Sequence, residues 1–196
     1  MKLINSFLAE IDEKWKPVGG EPIGLRIIGS AALMLETDYE RGTKDGDILE
    51  TEGITPAVCG QLLSLAGIKS PLFEKYRMYL EVVLRAILFL PSDPVFHFVK
   101  GLSLKNFTLE VLDVTDVVVS KLKRLNQNDV EDIKAMAGMS LLDHKKLVSR
   151  FKSAVDLFSI DARAEDIPKY IKNLNRIERD FLGAPESDIE LPDWMQ

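Results

Sequence analysis

The sequence predicts an α+β protein in which a small mixed sheet with flanking helices precedes a C-terminal helical lobe. Three observations carry this expectation. Short apolar or alternating runs of strand length alternate with helical segments up to about residue 112. From Thr115 to about residue 182 the pattern is helical, and 183–196 shows no periodicity. The chain has 196 residues, 46% of them hydrophobic and 29% charged, which suits one domain or one domain with a helical appendage and disfavours global disorder.

The elements follow in order. Leu3, Phe7, Leu8, Ile11 and Trp15 recur at helical spacing, and the 17–20 segment, Pro-Val-Gly-Gly, ends that helix. Gly24–Ile28 reads as a strand, Gly29-Ser30 as a turn, and Ala31–Glu36 as a helix. Lys44–Glu50 is a second strand. Thr55 and Pro56 suit the start of a helix that reaches Ala66 and stops at Gly67. Met78–Leu84 alternates as a strand. Ala86–Leu90 continues that strand or begins another, and Pro91-Ser92-Asp93-Pro94 closes it. Phe96–Val99 and Phe107–Leu112 complete the sheet candidates. Helices are expected near 114–125, 129–138, 141–157 and 165–182. The implied organisation is an α/β lobe over 1–112, a helical lobe over 113–182 and an acidic tail over 183–196.

Charge and composition narrow the function. The formal charge is −6, and four acids (Glu186, Asp188, Glu190, Asp193) fall in the last 14 residues, which hold no Lys or Arg. Removing those four leaves the body near −2, so a broad basic face for nonspecific nucleic-acid binding is disfavoured. Cys59 is the only cysteine, which excludes an intramolecular disulfide and a cysteine-based zinc site. No signal peptide and no apolar run of spanning length is seen, so a cytoplasmic location without membrane partners is expected.

The chemistry concentrates in residues 29–47. Asp45 and Asp47 are two apart, so on a strand both carboxylates point to one face. Two close carboxylates repel unless a cation lies between them, and Mg²⁺ or Mn²⁺ suits such an oxygen pair. A solvated acidic turn would explain the pair equally well in isolation. Gly29 and Ser30 at a strand-to-helix turn let backbone approach a phosphate, although Ser30 could equally be an ordinary cap. Glu81 is the best third acid because it interrupts the apolar run "YLEVV"; an outward position on a half-exposed strand is the alternative. Glu50 and Asp93 are weaker candidates.

Lys121 falls near the centre of the stripe made by Val114, Val118, Leu122 and Leu125. An inward lysine needs an anion: a nucleotide phosphate, Asp129, or a sheet carboxylate, unless it snorkels from a groove edge. Asn128 and Glu131 are expected to form a capping box, with Asp129 fixing the helix pair and Asp132 nearer the edge. His97 reads as a sheet side chain and His144 as part of a solvated helix face. Cys59 reads as helix packing.

Taken together, "GSAAL", "RGTKDGD", "YLEVV" and "VTDVVVSKLKRLNQNDVEDIKAM" resemble the minimal nucleotidyltransferase-fold proteins of bacteria and archaea, over about 29–155. The branch most similar is that of DUF6036-type and AbiEii-like proteins linked to toxin–antitoxin systems. The resemblance implies a nucleotidyltransferase-like fold and Mg²⁺-dependent transfer of a nucleoside monophosphate from NTP to RNA, protein or a small molecule. It implies metal binding by Asp45, Asp47 and Glu81, and contact of Gly29, Ser30 and Lys121 with the nucleotide phosphates. Arg41 joins the nucleotide-binding set, and Arg41 and Thr43 support the metal strand. Gly46, where such families usually have an apolar residue, and Glu81 in place of the commoner Asp depart from the pattern. A non-catalytic regulatory protein on the same fold, docking a partner protein through the tail around Trp194, is the second reading. A structural adaptor with turn acids is the third.

Overall fold

The computed structural model describes residues 2–17, 20–159 and 162–191, and its elements divide into two compact units. The first comprises residues 1–87 and 96–113, the second 88–95 and 114–196. Part of the 17–20 turn, with Asp193 and Trp194 of the tail, lies outside the described residues.

The first unit is built on a five-stranded mixed sheet. Its strands are β1 (Ile23–Ile28), β2 (Asp45–Leu49), β3 (Tyr79–Val83), β4 (Phe96–Phe98) and β5 (Phe107–Leu112), in the order β3-β2-β1-β5-β4. β1 is antiparallel to β2 and parallel to β5, β2 is parallel to β3, and β4 is antiparallel to β5. Because neighbouring partners share a face, the registers sort the side chains. Leu25, Ile27, Ile48, Leu80, Leu109 and Val111 lie on one face and are all buried. Arg26, Asp45, Asp47, Glu81 and Glu110 lie on the other.

The apolar face is covered by α1 (Leu3–Lys14) and α2 (Gly29–Glu36). Ile4, Phe7, Leu8 and Ile11 of α1 are buried, as the helical spacing requires, and Ile4, Phe7 and Leu8 close over Ile27, Gly46 and Leu80. α3 (Pro56–Ala66) starts where expected: Thr55 accepts a hydrogen bond from the Val58 amide at 3.3 Å, and Pro56 opens the helix. A further helix, α4 (Pro71–Tyr76), uses the same device, with Ser70 accepting from Phe73 at 3.1 Å. No helix was expected there, although Ser70-Pro71 is the same cap-and-proline signal as Thr55-Pro56.

Ala86–Leu90 is not a strand. Arg85–Ile87 forms a 3₁₀ turn, and Phe89 and Leu90 are fully buried. The end of the run is core material of the second unit: Phe89 packs its ring against Phe151, Phe158 and Tyr170 at 4.9–5.4 Å. Its following loop is fixed by charge. Arg150 grips the fully buried Asp116 with two 2.7 Å bonds and donates to the Asp93 carbonyl at 2.8 Å, while Asp116 also accepts from the Val95 amide. Asp93, weighed above as a third acid, serves this clamp.

The second unit contains α5 (Val114–Leu122), α6 (Gln127–Gly138), α7 (His144–Phe158) and α8 (Ile167–Ile177). α8 follows a 3₁₀ turn and runs into a single π turn, Glu178–Leu182, that ends at Gly183 with φ of 58°. The capping box of α6 sits two residues earlier than expected. Asn126 is the cap, its side chain accepting from the Asp129 amide at 2.9 Å, and the Asp129 carboxylate in turn accepts from the Asn126 amide at 3.1 Å. His144 is not on a solvated face. Its Nε2 lies 2.8 Å from the fully buried Glu178, which also accepts from the Ser187 amide and hydroxyl.

Candidate functional site

The open face of the sheet carries an acidic row. Asp45 and Asp47 alternate along β2 and project the same way, and β3 adds Glu81 directly opposite Asp47. Asp45 and Glu81 are exposed and Asp47 is half-buried. The register therefore makes the third acid a cross-strand neighbour of the second, although Glu81 also keeps the outward position that was its alternative.

Each carboxylate has a defined setting. Thr43 donates to Asp45 Oδ1 at 3.0 Å, which anchors the start of β2. Asp47 meets the chain turn after β1. Gly29 takes φ of 65°, the left-handed region, and a Cβ there would stand 2.9 Å from Asp47 Oδ2. Glycine is thus required twice at this corner, by backbone conformation and by close approach. Beside it, Arg41 donates from Nη2 to the Ser30 hydroxyl at 3.0 Å. Gly29, Ser30, Arg41, Asp45, Asp47 and Glu81 are therefore gathered by one sheet unit.

Tyr79 reports the field of the row. It lies opposite Asp45 in the β2–β3 register. Burial pushes its phenol above the usual range, and Asp45, Glu81 and Asp47 raise it further because each opposes a phenolate. Gly46 points the other way: a Cβ there would meet Leu80 Cδ2 at 2.9 Å, under the apolar face. Its departure from the expected residue type is accounted for by packing beneath Leu80.

The donor set suits a hard cation, since the row offers carboxylate oxygens and no sulfur or imidazole. Among the described residues, the group of three ligating side chains whose donor atoms all lie within 4.8 Å of one another is Glu36, His97 and Asp113. That grouping needs three separate elements to meet, and only the folded sheet brings them together.

Lys121 belongs to the helical unit, where it is 7% exposed and lies 3.1 Å from Asp129 and 2.8 Å from Asp132. Of the anions left open by the sequence, Asp129 is one the structure supplies. Asp132 is fully buried and not at an edge as expected. Burial works to raise the Asp129 pKa, but hydrogen bonds from Arg124 and the charge of Lys121 hold it below the ordinary aspartate range. Cys59 is free and half-buried on α3, as its packing reading requires.

No helix among the described residues is long and apolar enough to cross a membrane. No curated protein and no solved structure matches the chain significantly. A family model does match, over residues 6–178, and it spans both the acidic row and the helices carrying Lys121 and Asp129. With most of its length inside that match, the chain belongs to the family described as a nucleotidyltransferase of unknown function, DUF6036.

Proposed function

We propose that this protein transfers a nucleoside monophosphate from an NTP to a hydroxyl acceptor on RNA, protein or a small molecule, with Mg²⁺ at the acidic row. The observation that carries the reading is the Gly29–Asp47 contact. It puts a turn of bare backbone, able to approach a phosphate, against a carboxylate of a three-acid row. Family membership supports the same class of reaction.

In this reading the Gly29-Ser30 turn receives the phosphates, and Arg41, held at Ser30, adds positive charge beside them. Asp45 and Asp47 hold the metal, with Thr43 fixing the orientation of Asp45. Mg²⁺ would neutralise phosphate charge and orient the triphosphate for in-line displacement. The acceptor oxygen forms a bond to the α-phosphorus, the bond from that phosphorus to the bridging oxygen of the β-phosphate breaks, and pyrophosphate leaves. Glu81, on the same face, takes the proton from the acceptor hydroxyl. Catalysis then rests on positioning and charge.

The test is transfer of label from each of the four α-³²P-NTPs, with Mg²⁺, to total RNA, to the protein itself and to a small-molecule extract. Labelling is expected with at least one NTP and should vanish in Asp45→Asn and Asp47→Asn. Labelling that persists in both variants would remove the assignment.

A further inference from the structure

We propose that Glu36, His97 and Asp113 form a second metal site, selective for a divalent transition ion of the zinc type, separate from the acidic row. His97 lies opposite Val111 in the β4–β5 register, so it shares the sheet face of Ile27 and Ile48. That is the face opposite Asp45, Asp47 and Glu81. Glu36 is the last residue of α2, and Asp113 follows the end of β5. Three elements of one unit thus deliver one side chain each to a single point.

The distances fit coordination. His97 Nε2 is 3.1 Å from Asp113 Oδ2 and 3.7 Å from Glu36 Oε1. Bonds of about 2.0–2.2 Å from zinc to nitrogen and oxygen place neighbouring donors about 3.0–3.5 Å apart, so little movement is needed to close on an ion. The donor set also selects. Imidazole favours zinc and related transition ions, whereas Mg²⁺ and Ca²⁺ prefer all-oxygen shells. Two carboxylates balance the charge of a divalent ion, and the C-terminal end of α2 adds a favourable dipole. With three protein donors and the His97 side chain 47% exposed, a fourth position stays open to water or a ligand. The competing arrangement is His97 hydrogen-bonded to Asp113 beside Glu36 without metal.

α2 links the two places. Its first residue, Gly29, touches Asp47, and its last, Glu36, belongs to the second site about 10 Å along the helix axis.

The test uses the full chain, stripped with a chelator, equilibrated with ZnCl₂ and desalted, with bound zinc read by mass spectrometry and affinity by calorimetry. One equivalent is expected in the wild type, in Asp45→Asn/Asp47→Asn and in Cys59→Ser. His97→Gln and Asp113→Asn should lose it. Glu36→Gln, at a helix end, should keep the thermal midpoint and weaken zinc at least tenfold. A wild type that retains no zinc would overturn the proposal in favour of the metal-free arrangement. So would zinc content or affinity in Glu36→Gln equal to wild type, a result that decides the matter even if the His97 and Asp113 variants fail to fold. Loss of zinc in the Asp45→Asn/Asp47→Asn variant would place the ion at the acidic row instead. The readout is independent of nucleotide transfer, so failure of either proposal leaves the other standing.

Discussion

Gly29 and Asp47 approach so closely that no side chain fits between them: a Cβ on Gly29 would sit 2.9 Å from the Asp47 carboxylate, on a backbone already at φ of 65°. Gly46, one residue before Asp47, faces an equally short 2.9 Å contact, but with the end of the Leu80 side chain on the opposite face. The two glycines therefore separate site from core. Gly29→Ala should destabilise by about 1–3 kcal/mol through left-handed strain and abolish nucleotide binding by displacing Asp47. Gly46→Ala should cost about 1 kcal/mol or less, because Leu80 can shift its terminal methyl, and should leave nucleotide binding intact. Urea unfolding and calorimetric titration with an NTP and Mg²⁺ check both. Equal effects of the two substitutions on binding would refute the division.

Tyr79 provides an optical probe of the row. Its phenol is held above the ordinary range first by burial and then by Asp45, Glu81 and Asp47. A cation bound to those carboxylates cancels part of the opposition to phenolate, so the pKa should fall when metal binds. Ultraviolet titration of wild type minus Tyr79→Phe isolates this one phenol. Ca²⁺, which stays dissolved at alkaline pH, should shift its ionisation downward in the wild type and leave it unmoved in Asp45→Asn/Asp47→Asn. An identical curve with and without Ca²⁺ in the wild type would argue against cation binding there.

The buried charges of the helical unit are expected to matter for stability. Lys121 is 7% exposed between Asp129 and Asp132, which are 1% and 0% exposed. Lys121→Met leaves two buried carboxylates without that cation and should destabilise by about 3–5 kcal/mol. The pH dependence has a definite sign. Asp129 has a folded pKa below its unfolded value, so its contribution is present above the unfolded aspartate range and disappears as pH falls through the folded value. Urea midpoints across the acid range should show this loss in the wild type. Asp129→Asn should flatten it, and an unchanged acid slope in that variant would contradict the assignment.

Asp116 and Arg150 hold residues 93–95 to the helical unit by a two-pronged pair, and Asp116 is fully buried. Asp116→Ala strips Arg150 of its buried partner and the Val95 amide of its acceptor, at an expected cost of about 3–5 kcal/mol. Thermal unfolding would show it; a midpoint unchanged in this variant would mean the clamp is dispensable.

How far the sequence could be read depended on whether a feature was local. Asp45 and Asp47 share a face because strand periodicity is two, and Thr55-Pro56 starts a helix because cap and proline are adjacent; both are legible in a short window. The apolar run at 86–90 has strand composition, yet Phe89 is claimed by the rings of Phe151, Phe158 and Tyr170, far along the chain. Asn126 with Asp129 and Asn128 with Glu131 are equally good capping patterns. The first forms, and its Asp129 also binds Arg124 and Lys121, a tertiary reason that spacing does not contain. The alignment of Glu81 with Asp47 depends on strand register, and the meeting of Glu36, His97 and Asp113 on the packing of α2 against the sheet.

Binding of Mn²⁺ together with an NTP, read in electron paramagnetic resonance as signal lost beyond that lost to the same Mn²⁺ and NTP without protein, bears most closely on the acidic row. Wild type and Gly46→Ala should both capture the ion in a nucleotide-dependent way, while Asp45→Asn/Asp47→Asn and Gly29→Ala should not, under conditions where all four proteins are folded and His97 is intact. Nucleotide-dependent capture of Mn²⁺ by the Asp45→Asn/Asp47→Asn protein at the wild-type level would show that the row does not hold the metal.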